Sequence, residues 1–205
     1  MATAEPTGWS AGARARAAAK LMLGWVALLW TLEALDLATG GGLHTYGITP
    51  REPGELRDII PAAFLHHGFE HVAANTVPLL ILGFLAALSG VRRFLAVVAT
   101  VIVVSGFGIW LTSPDNSITA GASGVVFGLF GYLLVRGFVN RKPLEVVVGV
   151  LVAALYGSLI WGVLPTDAGI SWQGHLFGLL GGAGAAFLFR DPPRAPAAAG
   201  PGHGI

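Results

Sequence analysis

The sequence predicts an all-α, polytopic membrane protein: a bundle of six transmembrane helices. Three observations predict it. Of 205 residues, 54% are hydrophobic and only 11% are charged, against about 25% charged in an ordinary soluble domain. Mean hydropathy is +0.71. Six stretches, at about 21–38, 69–89, 93–112, 120–137, 144–164 and 171–189, approach the roughly 20 mostly apolar residues that a helix needs to cross a bilayer.

Each element follows from local composition. Residues 1–20 are polar, with Arg14, Arg16 and Lys20, and form an N-terminal segment before the membrane domain of 21–189. The first apolar run is too long for a secretory signal and carries Glu33 and Asp36 near its end, so it is read as a retained span. These two carboxylates are placed at the interface, with no further role. A long loop, 39–68, leads to a second span that opens "HHGFEHVAANTVP". Arg92 and Arg93 separate spans two and three, and "SPDNS" (113–117) follows span three. Span four opens within "TAGASGVVFGLFG" (119–131), and Arg136, Arg141 and Lys142 divide it from span five. "PTDAG" (165–169) leads into "SWQGHLFGLLGG", the head of span six. The tail, 190–205, is rich in Pro, Gly and Ala, a composition that predicts disorder.

Loop charges set the expected orientation, because cytoplasmic loops are enriched in Lys and Arg. Ten of the twelve basic residues fall on one side of the six-span scheme, and only Arg51 and Arg57 on the other. Both termini are therefore expected in the cytoplasm, and even-numbered spans enter from outside. Trp110, Trp161 and Trp172 fit an aromatic belt near the outer surface. The chain lacks cysteine, which excludes disulfides, thiolate catalysis and Cys metal sites. A net charge of +1 gives no reason to expect a nucleic acid; the expected partner is the lipid bilayer. Arg outnumbers Lys ten to two among abundant Ala and Gly, a composition that suits a GC-rich bacterial genome and hence a bacterial cell membrane.

Inside a membrane the polar residues carry the information. His66, His67, His71 and Asn75 stand at the start of span two, Ser123 at the start of span four and His175 at the start of span six. All belong to helices that enter from outside, so they share one layer, on the order of 10 Å deep at 1.5 Å per residue. His71 and Asn75, four apart, share a helix face. Gly174, Gly178 and Gly182 on span six, and Gly124 and Gly128 with Gly121 and Gly131 nearby on span four, make flat ridges that let two backbones approach closely. Such packing could bring the Ser123 hydroxyl to the His175 imidazole.

That arrangement suits nucleophilic catalysis. A serine hydroxyl attacks a carbonyl once a neutral histidine takes its proton, and the resulting oxyanion needs placed donors. Free backbone N–H groups at the helix start could supply them, with His71 and Asn75 adding side-chain donors. No Asp or Glu lies within spans four or six, so the pattern is a Ser–His dyad rather than a triad. Plainer roles stand beside this one. Serine in a membrane helix commonly bonds back to a carbonyl, glycine-rich helices commonly only pack, and His175 could be a core or proton-pathway residue. His66, His67 and His71 could ligate a metal, but His67 is expected to face elsewhere and no carboxylate pair accompanies them. No metal and no cofactor is expected.

Taken together, these motifs resemble those of the rhomboid intramembrane serine proteases over about residues 46–189. "GASG" resembles the family's GxSG, "GHLFG" its GHxxG, and "HHGFEHVAAN" its HxxxxHxxxN. The resemblance implies a six-span rhomboid-like bundle, Ser123 as nucleophile and His175 as base. It also implies His71 and Asn75, with the Ser123 backbone N–H, as oxyanion donors, and His66 as a loop or near-site residue. The implied substrates are membrane-anchored proteins whose helices unwind near the outer face. Two departures are visible. The family's Trp-Arg pair in the first loop is replaced here by "ELRDII", and Phe127 stands where many members have Tyr. The alternative reading is a non-enzymatic rhomboid-like binding or chaperone protein, or a small transporter using His175 as a proton relay.

Overall fold

The computed structural model describes residues 10–165 and 169–192. Among them run seven α-helices: α1 (Ala11–Ala38), α2 (Ile59–Ala62), α3 (Phe69–Ala87), α4 (Val91–Thr112), α5 (Ser123–Asn140), α6 (Pro143–Tyr156) and α7 (Trp172–Leu188). Three 3-10 segments, Gly42–Tyr46, Pro53–Asp58 and Gly157–Val163, join them. The described residues contain no strand, only an isolated antiparallel bridge between Ile48 and Thr119. Four of the helices, α1, α3, α4 and α5, are long and apolar enough to cross a membrane, as is α6 continued through its 3-10 turn to Val163. The sixth expected span is α7, 17 residues long and so about 25 Å at 1.5 Å per residue.

The helix ends have local causes. α1 begins ten residues before its apolar stretch because Ser10 Oγ accepts a hydrogen bond from the Ala13 N–H at 3.2 Å, and "AGARARAAAK" is dominated by strong helix formers. It stops before Gly40 and Gly41, at φ +82° and +84°, a region open to glycine at little cost. Pro143 opens α6 in the first turn, where its missing N–H is no loss. Ser171 caps α7, accepting from the Gly174 N–H at 3.2 Å. Residues 193–205 of the tail expected to be disordered, and 166–168 of "PTDAG", fall outside those described, while Asp191 at the head of the tail pairs with Arg93 and Lys142.

α5 forms the centre of the bundle. Its apolar window is 67% buried, against 11% for α6, and it packs against α3, α4, α6 and α7. Its longest interface is with α7, and glycine makes it possible. A Cβ on Gly178 would stand 2.2 Å from the Gly124 carbonyl oxygen, and one on Gly182 only 1.7 Å from that of Gly128. The Cβ positions of Gly174 and Gly128 face α4 instead, against Ile109 and Val101. α1 packs on α3 at the side of the bundle, where the Met22 thioether fills the space a Gly83 side chain would need. Large apolar side chains such as Leu144, Leu155, Phe138 and Leu188 point outward; where lipid replaces water, they need no further cover.

Glu33 and Asp36, expected at the interface near the outer end of the first span, are buried within the protein, with 5% and 3% of their surfaces exposed. The first loop folds back over the end of α1 and meets Asp36. Asp36 Oδ1 accepts the Leu43 N–H at 2.7 Å, and its Oδ2 lies 2.9 Å from His44 Nε2. Loop closure therefore satisfies a carboxylate that burial would otherwise penalise.

Candidate active site

A cavity of about 900 Å³ opens between α3, α4, α5 and α7. Ser123, Gly124 and Phe127 reach it from α5, His71 and Asn75 from α3, and Gly174 and His175 from α7, with Gly121 just before α5. The glycine ridges put the heads of α5 and α7 side by side, which is why two residues 52 positions apart in sequence share one cavity. Among the described residues no direct hydrogen bond joins Ser123 to His175; such bonds are often long until substrate is bound.

His175 is 7% exposed and is held on two sides. Its Nδ1 lies 2.9 Å from the Gly162 carbonyl oxygen. That carbonyl can only accept, so Nδ1 carries the proton and Nε2 keeps a free lone pair. The Phe127 ring stacks on the imidazole at 3.9 Å between centroids, with the planes 6° apart. Gly162 lies close to both: a Cβ there would stand 2.8 Å from Phe127 Cζ and 3.2 Å from His175 Nδ1. Sequence reasoning missed Gly162, because nothing in "LIWGV" marks a glycine whose carbonyl holds a histidine of another helix.

The serine's surroundings are equally specific. Gly121 adopts φ +150°, and a Cβ on it would stand 2.8 Å from His71 Cε1 and 3.0 Å from Nε2. Only glycine lets the loop before Ser123 pass so close to that ring. Asn75 turns one amide N–H back to the His71 carbonyl at 3.0 Å, while its side chain also lines the cavity. His66 does not line the cavity. It lies behind the serine, where its Nε2 accepts the Ala122 N–H at 3.2 Å. Burial first, then the neighbouring His71, pushes its pKa from 6.5 down to about 4, so the ring stays neutral and able to accept. His67, expected to face elsewhere, is exposed yet lines the cavity, its ring parallel to that of His71. Among the described residues no three His, Cys, Asp or Glu side chains converge as a metal site.

Three backbone hydrogen bonds tie the first loop to the serine's segment. Ile48 and Thr119 exchange backbone hydrogen bonds at 2.8 and 3.1 Å, and the Gly121 N–H donates to the Ala62 carbonyl at 2.8 Å. His44 Nε2 lies 2.9 Å from the His66 carbonyl oxygen as well as beside Asp36, so a buried carboxylate on α1 supports the strand of loop that holds His66. Arg51 ties the loop to the end of α4, pairing with Asp115 and donating to the Ser113 carbonyl at 2.7 Å. Arg57, by contrast, is exposed. The contacts of Asp36, His44 and Arg51 escaped the sequence reading because their partners lie in segments with no shared periodicity.

The low pKa of His66 has a consequence for stability. The unfolded histidine takes up its proton near pH 6.5, whereas the folded one resists until about pH 4. Between these values the unfolded chain binds more protons, so stability present above pH 6.5 is lost as pH falls, by at most about 1.4 kcal/mol per pH unit. The thermal midpoint in detergent should drop between pH 7 and pH 4.5, and should drop less in His66→Gln. Equal drops in the two proteins would rule His66 out as the group responsible.

Comparison with known proteins bears on the family. A family model, the Rhomboid domain, matches residues 53–192. An uncharacterized protein of Mycobacterium tuberculosis is 39% identical over 181 residues, covering 84% of this chain and 75% of the relative. The rhomboid protease GluP of Bacillus subtilis is 32% identical over 135 residues, 65% of this chain and 26% of GluP. RHOMBOID-like protein 4 of Arabidopsis thaliana is 31% identical over 170 residues, 78% of this chain and 40% of the relative. With the Rhomboid domain matching residues 53–192, more than half of the chain, and relatives of that family more than 30% identical, the chain belongs to the rhomboid family.

Proposed function

We propose that this protein is an intramembrane serine endopeptidase that cleaves membrane-anchored proteins through Ser123 and His175. Membership of a family that includes named proteases supports the general activity. The observation that carries the residue assignment is the Nδ1–H to Gly162 carbonyl bond of His175, which leaves Nε2 as the basic nitrogen in a cavity it shares with Ser123. In the first step Ser123 Oγ attacks the scissile carbonyl carbon and its proton passes to Nε2. The tetrahedral oxyanion is held by the Ser123 backbone N–H, His71 and the free amide N–H of Asn75. The C–N bond then breaks, His175 returns the proton to the leaving amine, and an acyl-serine remains. Water, deprotonated by His175, attacks the acyl-serine and releases the acid and the free serine.

Phe127 and Gly162 serve by fixing the imidazole, and Gly121 and Gly124 by leaving room for a substrate backbone. Arg14, Arg93, Arg136 and Lys142 gather at the end of the bundle away from Ser123, and by the preference of basic residues for the cytoplasmic side the site faces outward and the termini lie in the cytoplasm. The substrate is a membrane helix that unwinds near the outer surface, since a closed helix offers no reachable carbonyl. A binding or chaperone protein of the same fold would need the cavity but not a nucleophile and base within it. A membrane-impermeant fluorophosphonate probe tests both parts. It should label the protein in right-side-out vesicles and not label Ser123→Ala. Labelling confined to inverted vesicles would reverse the orientation, and equal labelling of Ser123→Ala would remove Ser123 as the nucleophile.

A further inference from the structure

A second cavity, of about 330 Å³, lies at the end of the bundle opposite Ser123. Its walls are apolar, formed by side chains such as Leu85, Leu88, Leu133 and Leu144, and its rim carries Arg14, Arg93, Arg136 and Lys142. Part of that charge is answered internally. Arg136 holds Glu145 through two hydrogen bonds, at 2.8 and 3.2 Å, and Asn140 adds a third at 2.8 Å. Arg93 pairs with Asp191 at 2.6 Å, and Lys142 pairs with the same carboxylate. Four cations thus face two carboxylates. Arg14, exposed at the start of α1, forms no ion pair among the described residues.

The mixture is specific in its layout. A surface built only to set topology would need charge but no cavity, and a purely structural charge cluster would balance its signs. Here an excess of cations rims a space whose floor is leucine, and whose α6 wall includes Leu144, 77% exposed toward the side of the bundle. An amphiphile with an anionic head and a hydrocarbon tail matches both parts. Basic pockets between membrane helices select anionic headgroups by this combination of local charge and apolar contact.

We propose that this cavity is a binding site for an anionic phospholipid, with the phosphate on Arg14 and Arg93 and an acyl chain along the leucine wall. The lipid would join α1, the α3–α4 turn, the start of α6 and Asp191, which follows α7, at the end of the bundle away from the cavity that holds Ser123. The site is independent of the proteolytic reading.

The test uses the full-length protein, purified in detergent and stripped of lipid, with retained adducts counted by native mass spectrometry and melting followed in parallel. The probes are dioleoylphosphatidylglycerol, dioleoylphosphatidylcholine and inorganic phosphate. Phosphatidylglycerol should be retained preferentially over phosphatidylcholine and should raise the melting temperature, while phosphate alone should leave it unchanged. Arg14→Glu should cut phosphatidylglycerol retention on the order of tenfold. Arg92→Glu makes the same charge change at an exposed neighbour outside the cavity and should have little effect. Neither residue makes an ion pair among those described, so both variants should fold. Equal retention of the two lipids, or equal losses in Arg14→Glu and Arg92→Glu, would overturn the site. A phosphate shift as large as that of phosphatidylglycerol would show a free-anion site in place of a lipid site.

Discussion

Ser123→Ala should abolish cleavage of a reporter transmembrane substrate by the purified protein while leaving its melting temperature close to the parent's. The hydroxyl forms no hydrogen bond within the described structure and is only half-buried, so its removal leaves no buried partner unsatisfied and no large void. His175→Ala should abolish cleavage as well, since an unassisted serine hydroxyl is too weakly acidic to attack an amide at useful rates. It should also destabilise the protein, because the Phe127 stack and the Gly162 carbonyl lose their partner. The conservative His175→Gln separates the two effects: an amide N–H can still meet the carbonyl, but no basic nitrogen remains. Rates should fall to one common floor, with the double variant no worse than either single, because nucleophile and base act as a unit. Ser123→Ala cleaving at the parental rate, in a preparation free of host protease, would sink the hydrolase reading.

The transmembrane elements were legible because they are written in continuous apolar runs, and each of the six stretches became helical, although α1 starts ten residues before its expected bound and α6 gives way to a 3-10 turn after Tyr156. The heads of α5 and α7 were legible for a different reason. Small residues at spacing four announce close approach whatever lies between them in sequence, so the ridges of Gly124 and Gly128 and of Gly174, Gly178 and Gly182 were legible, although only the structure shows Gly178 and Gly182 meeting Gly124 and Gly128 while Gly174 faces Ile109 of α4. Ser123, His175, His71 and Asn75 could then be gathered into one layer by counting spans. What stayed hidden depends on loops folding back. Asp36 looked like an interfacial carboxylate until Gly40 and Gly41 turned the chain over it, and His44 gained meaning only by meeting both Asp36 and His66. Gly162 contributes a carbonyl rather than a side chain, and a backbone group leaves no mark in composition. His66 was placed near the site, yet it acts on the Ala122 amide behind the serine, a distinction that spacing cannot make.

The same glycine geometry makes the second large effect a structural one. In Gly182→Ala the added methyl would stand 1.7 Å from the Gly128 carbonyl oxygen, and in Gly178→Ala 2.2 Å from that of Gly124. Both obstacles are backbone atoms, which cannot rotate aside as a side chain would, so α7 must move away from α5 or tilt. Overpacking of a close interface costs typically about 1–3 kcal/mol and sometimes more, and a shift on the order of 1 Å at a reacting pair can cost about a hundredfold in rate. Gly184 provides the control, since a Cβ there meets nothing within 4 Å. Gly184→Ala should melt at or slightly above the parental temperature, because alanine is the better helix former by about 1 kcal/mol. Gly182→Ala should melt well below it. Gly178→Ala, nearer the cavity, should lose activity out of proportion to its loss of stability, because Gly124 immediately follows Ser123 and moves with it. Measuring melting and turnover on the three variants side by side separates the two consequences. If Gly182→Ala melts with Gly184→Ala, helices α5 and α7 are not in the close register described, and the pairing of Ser123 with His175 loses its structural basis.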